Sequence, residues 1–289
     1  MFRDFTKLIR VSHWVKNTFV FVPLIFSKSL DDGNKILLSG LAFVSFSLAS
    51  SIVYIFNDII DRDADKNHPV KKNRPIASGK FSLSFAYFLI ALLLVLVSSS
   101  LMLANKLFTI IVLLYIVINI LYSIKLKHIV ILDIMIIAAG FILRVIGGAF
   151  IIEVYISNWL ILTTLFLSLF LAVMKRRSEL NISFENIDTR KVLEDYSYSF
   201  IDQIGTISAG AVIICYAIYT VAERTVSYFN SESLIYTTIF VIFGIFRYMY
   251  IVYHKNKGED PTKEIVKDIP IIVNVVLYTV SIVILMYFS

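Results

Sequence analysis

Residues 38–56, LSGLAFVSFSLASSIVYIF, carry no charge and run directly into residues 57–80, NDIIDRDADKNHPVKKNRPIASGK. The first stretch is long enough to cross a bilayer as a helix, which takes roughly 20 mostly apolar residues. It ends in Asp58, Asp61, Asp63 and Asp65, and the chain then turns basic. Acids crowded at a membrane boundary repel one another and lose hydration, so such an end is costly unless cations or a charged ligand neutralise it. The stretch therefore predicts both a helix that crosses a membrane and a polar site where it ends.

The rest of the chain repeats the first half of that pattern. Of its 289 residues 58% are hydrophobic, and the mean hydropathy is +0.81. That composition cannot supply the polar surface of a soluble domain, and no polar stretch is long enough to hold a second one. The expectation is an all-α, polytopic membrane protein, one domain over residues 1–289, forming a bundle of about nine transmembrane helices. Apolar runs place these near 17–30, 36–57, 83–104, 107–123, 130–152, 157–174, 203–223, 234–253 and 269–288. Cys215 stands alone, so no disulfide framework exists, and it reads as a small core residue. The N-terminus, MFRDFTKLIRVSHWVKN, has neither the apolar stretch nor the small-residue cleavage site of a removable signal.

The connections alternate in charge. The N-terminus and segments 58–82, 124–129, 175–202 and 254–268 hold 21 Lys and Arg, the opposite connections hold four, and Arg144 and Arg247 fall within spans. Positive charge collects on the cytoplasmic side. This predicts a cell-membrane protein with its N-terminus and long polar segments in the cytoplasm and, for nine spans, its C-terminus outside. The site is expected at the cytoplasmic mouth of the bundle. No Gly-rich phosphate loop, Cys/His zinc spacing or internal repeat appears, and no nucleic-acid partner is expected. The composition leaves a homo-oligomer open.

If the second span continues as a helix through the acidic stretch, Asp58, Asp61 and Asp65 fall at about 0°, 300° and 340°, and Asp63 at about 140°. Three carboxylates then share one face and Asp63 points to solvent. Hard oxygen donors of this kind suit Mg²⁺, with Mn²⁺ as a substitute, and such a shell is usually completed by water and substrate phosphate. Asn57 adds a neutral amide. The bland alternative is a solvated helix end paired with Lys66, Lys71 and Lys72.

NDIIDRDAD fits the NDxxDxxxD pattern of the UbiA superfamily of intramembrane prenyltransferases, and NRPIASG resembles the segment that follows it there. The resemblance implies that Asn57, Asp58, Asp61 and Asp65 hold Mg²⁺ on a diphosphate, with Lys72 or Arg74 on its oxygens. Typical members carry a second motif, roughly DxxxD, after the sixth helix. Here LAVMKRRSEL offers Lys175, Arg176 and Arg177 and then only Glu179. One acidic and one basic cluster suit two separate phosphate-bearing groups, one held through metal and one directly by Arg and Lys. SHWVKNTFVFVPLIFS, YSIKLKHIVILDIMIIAAGFILRVIGGA and KRRSEL resemble the decaprenyl-phosphate phosphoribosyltransferase branch, which transfers 5-phosphoribose from phosphoribosyl diphosphate to a polyprenyl phosphate.

The activity implied is therefore a Mg²⁺-dependent pentosyl transfer with release of pyrophosphate, making a lipid-linked pentose donor for envelope glycans. A prenyltransferase acting on an aromatic or other acceptor is the alternative, weakened by the missing DxxxD. A non-catalytic transporter is the third, weakened because the charges gather on one side of the membrane. Lys16 and Asn17, opening the first span, read either as phosphate contacts or, for Lys16, as a snorkelling cation. Tyr122 and Lys127 take binding roles by resemblance. Asp133 and Arg144 lie within about 20° of one helix face and about 16 Å apart. Asp133 is expected either to accept from a sugar hydroxyl or to support a residue that touches the substrate; Arg144 either lines a cavity or pairs inside the bundle. Glu179 reads as a metal ligand or as a partner orienting an arginine. Segment 188–202 is expected to form a short interfacial helix.

Overall fold

The computed structural model describes residues 2–67, 71–183, 191–193, 195–254 and 261–287. Every regular element among them is helical. Among the described residues eight helices are long and apolar enough to cross a membrane: α3 (Gly33–Ile60), α5 (Leu83–Met102), α6 (Lys106–Ile124), α7 (Leu132–Ile151), α8 (Asn158–Ser183), α9 (Tyr198–Val221), α11 (Thr238–His254) together with the 3-10 turn Ser233–Thr237 that leads into it, and α13 (Ile269–Tyr287). They are joined by the short helices α1 (Phe2–Leu8), α2 (Val22–Phe26), α4 (Arg62–Asn67), α10 (Glu223–Phe229) and α12 (Pro261–Lys267). The protein is a multi-pass membrane protein.

The helix starts have local causes. Asp32 accepts from the backbone N–H of Asn34 and Lys35 at the start of α3. Ser82, Asn105 and Ser197 do the same for Phe85, Phe108 and Phe200. Each satisfies a donor that the first turn leaves without an intrahelical partner.

The expected first span is the one that differs. Residues 11–26 are a 3-10 helix, Val11–Phe21, followed by α2. Runs of 3-10 helix beyond three or four residues are uncommon, but their larger rise lets these 16 residues reach about 30 Å. The segment lies along α3 and α7. Gly148 of α7 makes that approach feasible, because a Cβ there would stand 2.2 Å from the Val20 carbonyl oxygen.

Contacts divide the chain into two compact units. One comprises residues 1–155 and 186–192, the other 156–185 and 193–289. In the first, the core gathers residues such as Val20, Phe46, Ile55, Leu89, Phe108 and Tyr115 from the 3-10 segment, α3, α5 and α6. In the second, α8 and α9 pack along each other and α11 packs on α13. Arg247, one of the two cations inside spans, makes a bidentate pair of 3.0 Å bonds with Asp268, which also caps α13. Of the segment expected to form an interfacial helix, 188–202, the described part holds a 3-10 turn, Lys191–Leu193, and the start of α9 at Tyr198. Residues 188–190 and 194 lie outside the described residues. Cys215 is buried, as expected.

Candidate active site

The acidic stretch does not continue as one straight helix. α3 ends at Ile60, Asp61 takes the capping position, and α4 carries Asp65. Helical bonding nearly persists through the break, because Asp61 N–H donates to Asn57 and Asp65 N–H to Asp61, at 2.9 and 2.8 Å. Asp58, Asp61 and Asp65 therefore stay together, while exposed Asp63 pairs with Lys66 at 2.8 Å. Lys66, one cation of the bland alternative, thus takes the outward acid.

Each of the three grouped carboxylates turns to a cation. Arg74 Nη1 donates to Asp65 at 2.6 Å and to Asp58 at 3.3 Å. Lys127 Nζ donates to Asp61 at 2.6 Å, and Asn57 Nδ2 donates to the other oxygen of Asp61 at 2.9 Å. Arg10, which the sequence marked only as one of several N-terminal cations, donates to Asp58 at 2.5 Å. Its guanidinium lies 4.7 Å from the centre of the Tyr54 ring. Asp58, Asp65 and Lys127 are buried. Burial pushes the Asp65 carboxyl above its ordinary range, outweighing the opposing pull of Arg74. Lys72 stands exposed on the turn Lys71–Asn73, so of the two basic candidates there Arg74 is the one at the acids.

Among the described residues no three His, Cys, Asp or Glu side chains converge as a ready-made metal site. The donor chemistry nevertheless fits a hard cation. One Arg74 nitrogen stands within 3.3 Å of both Asp58 and Asp65, so a single positive centre is already shared by two carboxylates.

A second polar network lies deeper in the same unit. Arg144 is buried and donates to Asn17 Oδ1 at 2.7 Å, to the Gly140 carbonyl at 2.7 Å and to Tyr115 Oη at 2.8 Å. Asn17 donates in turn to Ser47 at 3.0 Å and Ser50 at 3.4 Å. Arg144 thus follows the second of its two expectations and bonds inside the helical packing, and Asn17 is its partner. Tyr115, unmarked in the sequence because an aromatic in an apolar run reads as packing, completes the set. Asp133 is fully buried in the first turn of α7. Tyr122 is half-buried near the end of α6, and Lys16 is half-buried beside Asn17. Trp14 donates to Ser51 at 3.1 Å, and His13 packs on Tyr54 at 5.3 Å between ring centres.

In the other unit, the basic cluster sits on the last turns of α8. Glu179 pairs with Arg176 and lies 3.8 Å from Lys175. Arg176 is 1% exposed. Glu179 thus lies among the cations of this cluster. Arg177 is engaged elsewhere, with Asp202 at 2.9 Å and over the Tyr253 ring at 4.0 Å.

Membrane-spanning helices, an acid cluster closing one of them and a basic cluster on another define a class, and sequence comparison agrees on it. The profile of the UbiA prenyltransferase family matches residues 18–267, and the chain belongs to that family. Within it, the chain is 37% identical over 220 residues to a protein of Mycolicibacterium smegmatis named decaprenyl-phosphate phosphoribosyltransferase, covering 74% of this chain and 69% of that one. Proteins of the same name from Mycobacterium tuberculosis and Corynebacterium glutamicum are 33% and 32% identical, again over 74% of this chain and over 72% and 66% of theirs. Among solved structures, a UbiA homolog from Archaeoglobus fulgidus bound to DMAPP and Mg²⁺ superposes with a TM-score of 0.73 at 15% identity, over 99% of this chain and 100% of that one. At that identity the likeness speaks for the fold.

Proposed function

We propose that this protein transfers the 5-phosphoribosyl group of phosphoribosyl diphosphate to a polyprenyl phosphate, with release of pyrophosphate. The observation that carries this is the 32–37% identity, over 74% of the chain, to proteins named decaprenyl-phosphate phosphoribosyltransferase. The chemistry of the two clusters supports it. A multiply anionic sugar donor must arrive from water and an isoprenoid tail must stay in lipid, so the reaction belongs at a membrane boundary. The Lys and Arg count supports a cytoplasmic N-terminus and a cytoplasmic site, in the cell membrane. We treat residues 1–289 as one functional domain, since the family match spans both compact units.

Asn57, Asp58, Asp61 and Asp65 would hold a divalent cation, Mg²⁺ first and Mn²⁺ as a substitute; solved relatives of this fold carry Mg²⁺ or Cd²⁺. When bound, that ion supplies Lewis-acid stabilisation of the departing pyrophosphate. Arg74 and Lys127, already among the acids, hold diphosphate oxygens. Lys175 and Arg176, oriented by Glu179, hold another phosphate directly. Asp133 and Tyr122 serve the sugar, and Lys16 and Lys72 contact anionic oxygens at the rim. Asn17 and Arg144 fix the 3-10 segment against α6 and α7. A lipid phosphate oxygen forms the bond to the anomeric carbon while the bond from that carbon to pyrophosphate breaks. That oxygen is already anionic at neutral pH, so no general base is required.

The DMAPP bound to the Archaeoglobus homolog favours a second reading, prenyl transfer from a prenyl diphosphate. Pyrophosphate release separates the two. The purified protein should release pyrophosphate from phosphoribosyl diphosphate only when polyprenyl phosphate is present. Release from a prenyl diphosphate with an aromatic acceptor, and none from phosphoribosyl diphosphate, would favour prenyl transfer instead.

A further inference from the structure

Arg10 occupies an unusual place. It lies between α1 and the 3-10 segment in the left-handed backbone region, at φ 51° and ψ 49°, a conformation uncommon for a residue with a side chain. The chain on either side is fastened to α3. Ser51 donates to the carbonyl of Ile9 at 2.8 Å and accepts from Trp14 at 3.1 Å. Pinned there, Arg10 reaches two side chains one helical turn apart, stacking on Tyr54 and bonding Asp58. A guanidinium carries five N–H donors in a plane, so one edge on Asp58 and one face on Tyr54 leave donors for a second anion.

The charges of the cluster add a constraint. Asp58, Asp61 and Asp65 are paired with Arg10, Arg74 and Lys127, three carboxylates with three cations. A divalent cation entering alone would meet those three positive groups with no anion to take them over. A divalent cation entering with a diphosphate would find each displaced cation a new partner. We propose that Arg10 is the place-holding cation of Asp58: it keeps that carboxylate aimed while the site is empty and passes to the diphosphate oxygens when metal and diphosphate enter together. This rests on the metal–diphosphate reading above. It makes Arg10 a substrate-binding residue and makes uptake of metal and diphosphate cooperative. Because Ile9 and Trp14 stay fastened to α3, the exchange needs only side-chain motion.

The test is binding by the full-length protein in detergent, with Mn²⁺ and inorganic pyrophosphate as probes. Protein-bound Mn²⁺ is counted by equilibrium dialysis, with and without pyrophosphate, at free Mn²⁺ held equal in the two cases, so that Mn²⁺ chelated by pyrophosphate in solution is not scored as binding. Wild type should bind Mn²⁺ weakly alone and about tenfold more tightly with saturating pyrophosphate. In Arg10→Ala, Mn²⁺ alone should bind more tightly than in wild type, because its competitor for Asp58 is gone, and the gain from pyrophosphate should shrink to about threefold or less. Arg10→Lys should restore much of the gain. These opposite signs are not what a purely structural loss produces. Equal or weaker binding of Mn²⁺ alone in Arg10→Ala, or an undiminished gain, would overturn the proposal. If that variant fails to fold, Arg10→Gln is read by the same criteria. No Mn²⁺ binding by wild type with or without pyrophosphate, or binding unaffected by Asp61→Asn, would instead defeat the underlying metal–diphosphate reading.

Discussion

The acid cluster behaves as a set of exchangeable ion pairs, and its members should differ in what their removal costs. Lys127 is buried against Asp61, so Lys127→Ala should lower stability by about 1–3 kcal/mol, the usual scale for a lost hydrogen bond between charged groups. Lys72→Ala, at an exposed position, should stay within about 0.5 kcal/mol of wild type. Thermal unfolding in one detergent compares the two directly. Asp65 should move the other way. Its carboxyl is pushed up in the folded protein, so the folded state binds a proton more readily than the unfolded chain does. The resulting cost is present above the folded pKa and fades as pH falls through it. Asp65→Asn should therefore raise the unfolding temperature of the metal-free protein at neutral pH while weakening Mn²⁺ binding. The grouping of Asp58, Asp61 and Asp65 was legible because spacing alone sets which residues share a helix face. Arg10 was not, since its role comes from a backbone turn that brings it 48 positions along the chain to Asp58.

At the level of elements, the eight long spans were readable from hydropathy, whose period and length mark a membrane helix well. The first was not. Apolar content is the same for a 3-10 and an α segment, and only packing against α3 and α7 selects the narrower, longer form. Gly148→Ala tests that packing. Its methyl group would collide with the Val20 carbonyl, so the variant should lose about 1–3 kcal/mol, the usual cost of overpacking. Gly40→Ala, inside α3 with nothing within 4 Å of its Cβ, should instead gain up to about 1 kcal/mol from helix propensity. Equal effects in the two melts would contradict the close approach. The break at Asp61 was also invisible in the sequence, where the acidic run offers no proline or glycine to announce it.

For the whole molecule, the charge asymmetry of the connections predicts an orientation, and two clusters of opposite sign support the proposed chemistry. Orientation is open to direct measurement. In a Cys215→Ser background, a cysteine replacing Lys72 should react with an impermeant reagent only when the cytoplasmic face is accessible, and one replacing Asn34 only from the other side. The central claim is the reaction. Purified protein should be given phosphoribosyl diphosphate labelled in the ribose, a polyprenyl phosphate and Mg²⁺, and the lipid phase counted. The account predicts label in the lipid, one pyrophosphate released for each labelled lipid, and neither after chelation or in Asp61→Asn. Label that stays in the aqueous phase, from protein that moves a prenyl group from a prenyl diphosphate, would contradict it.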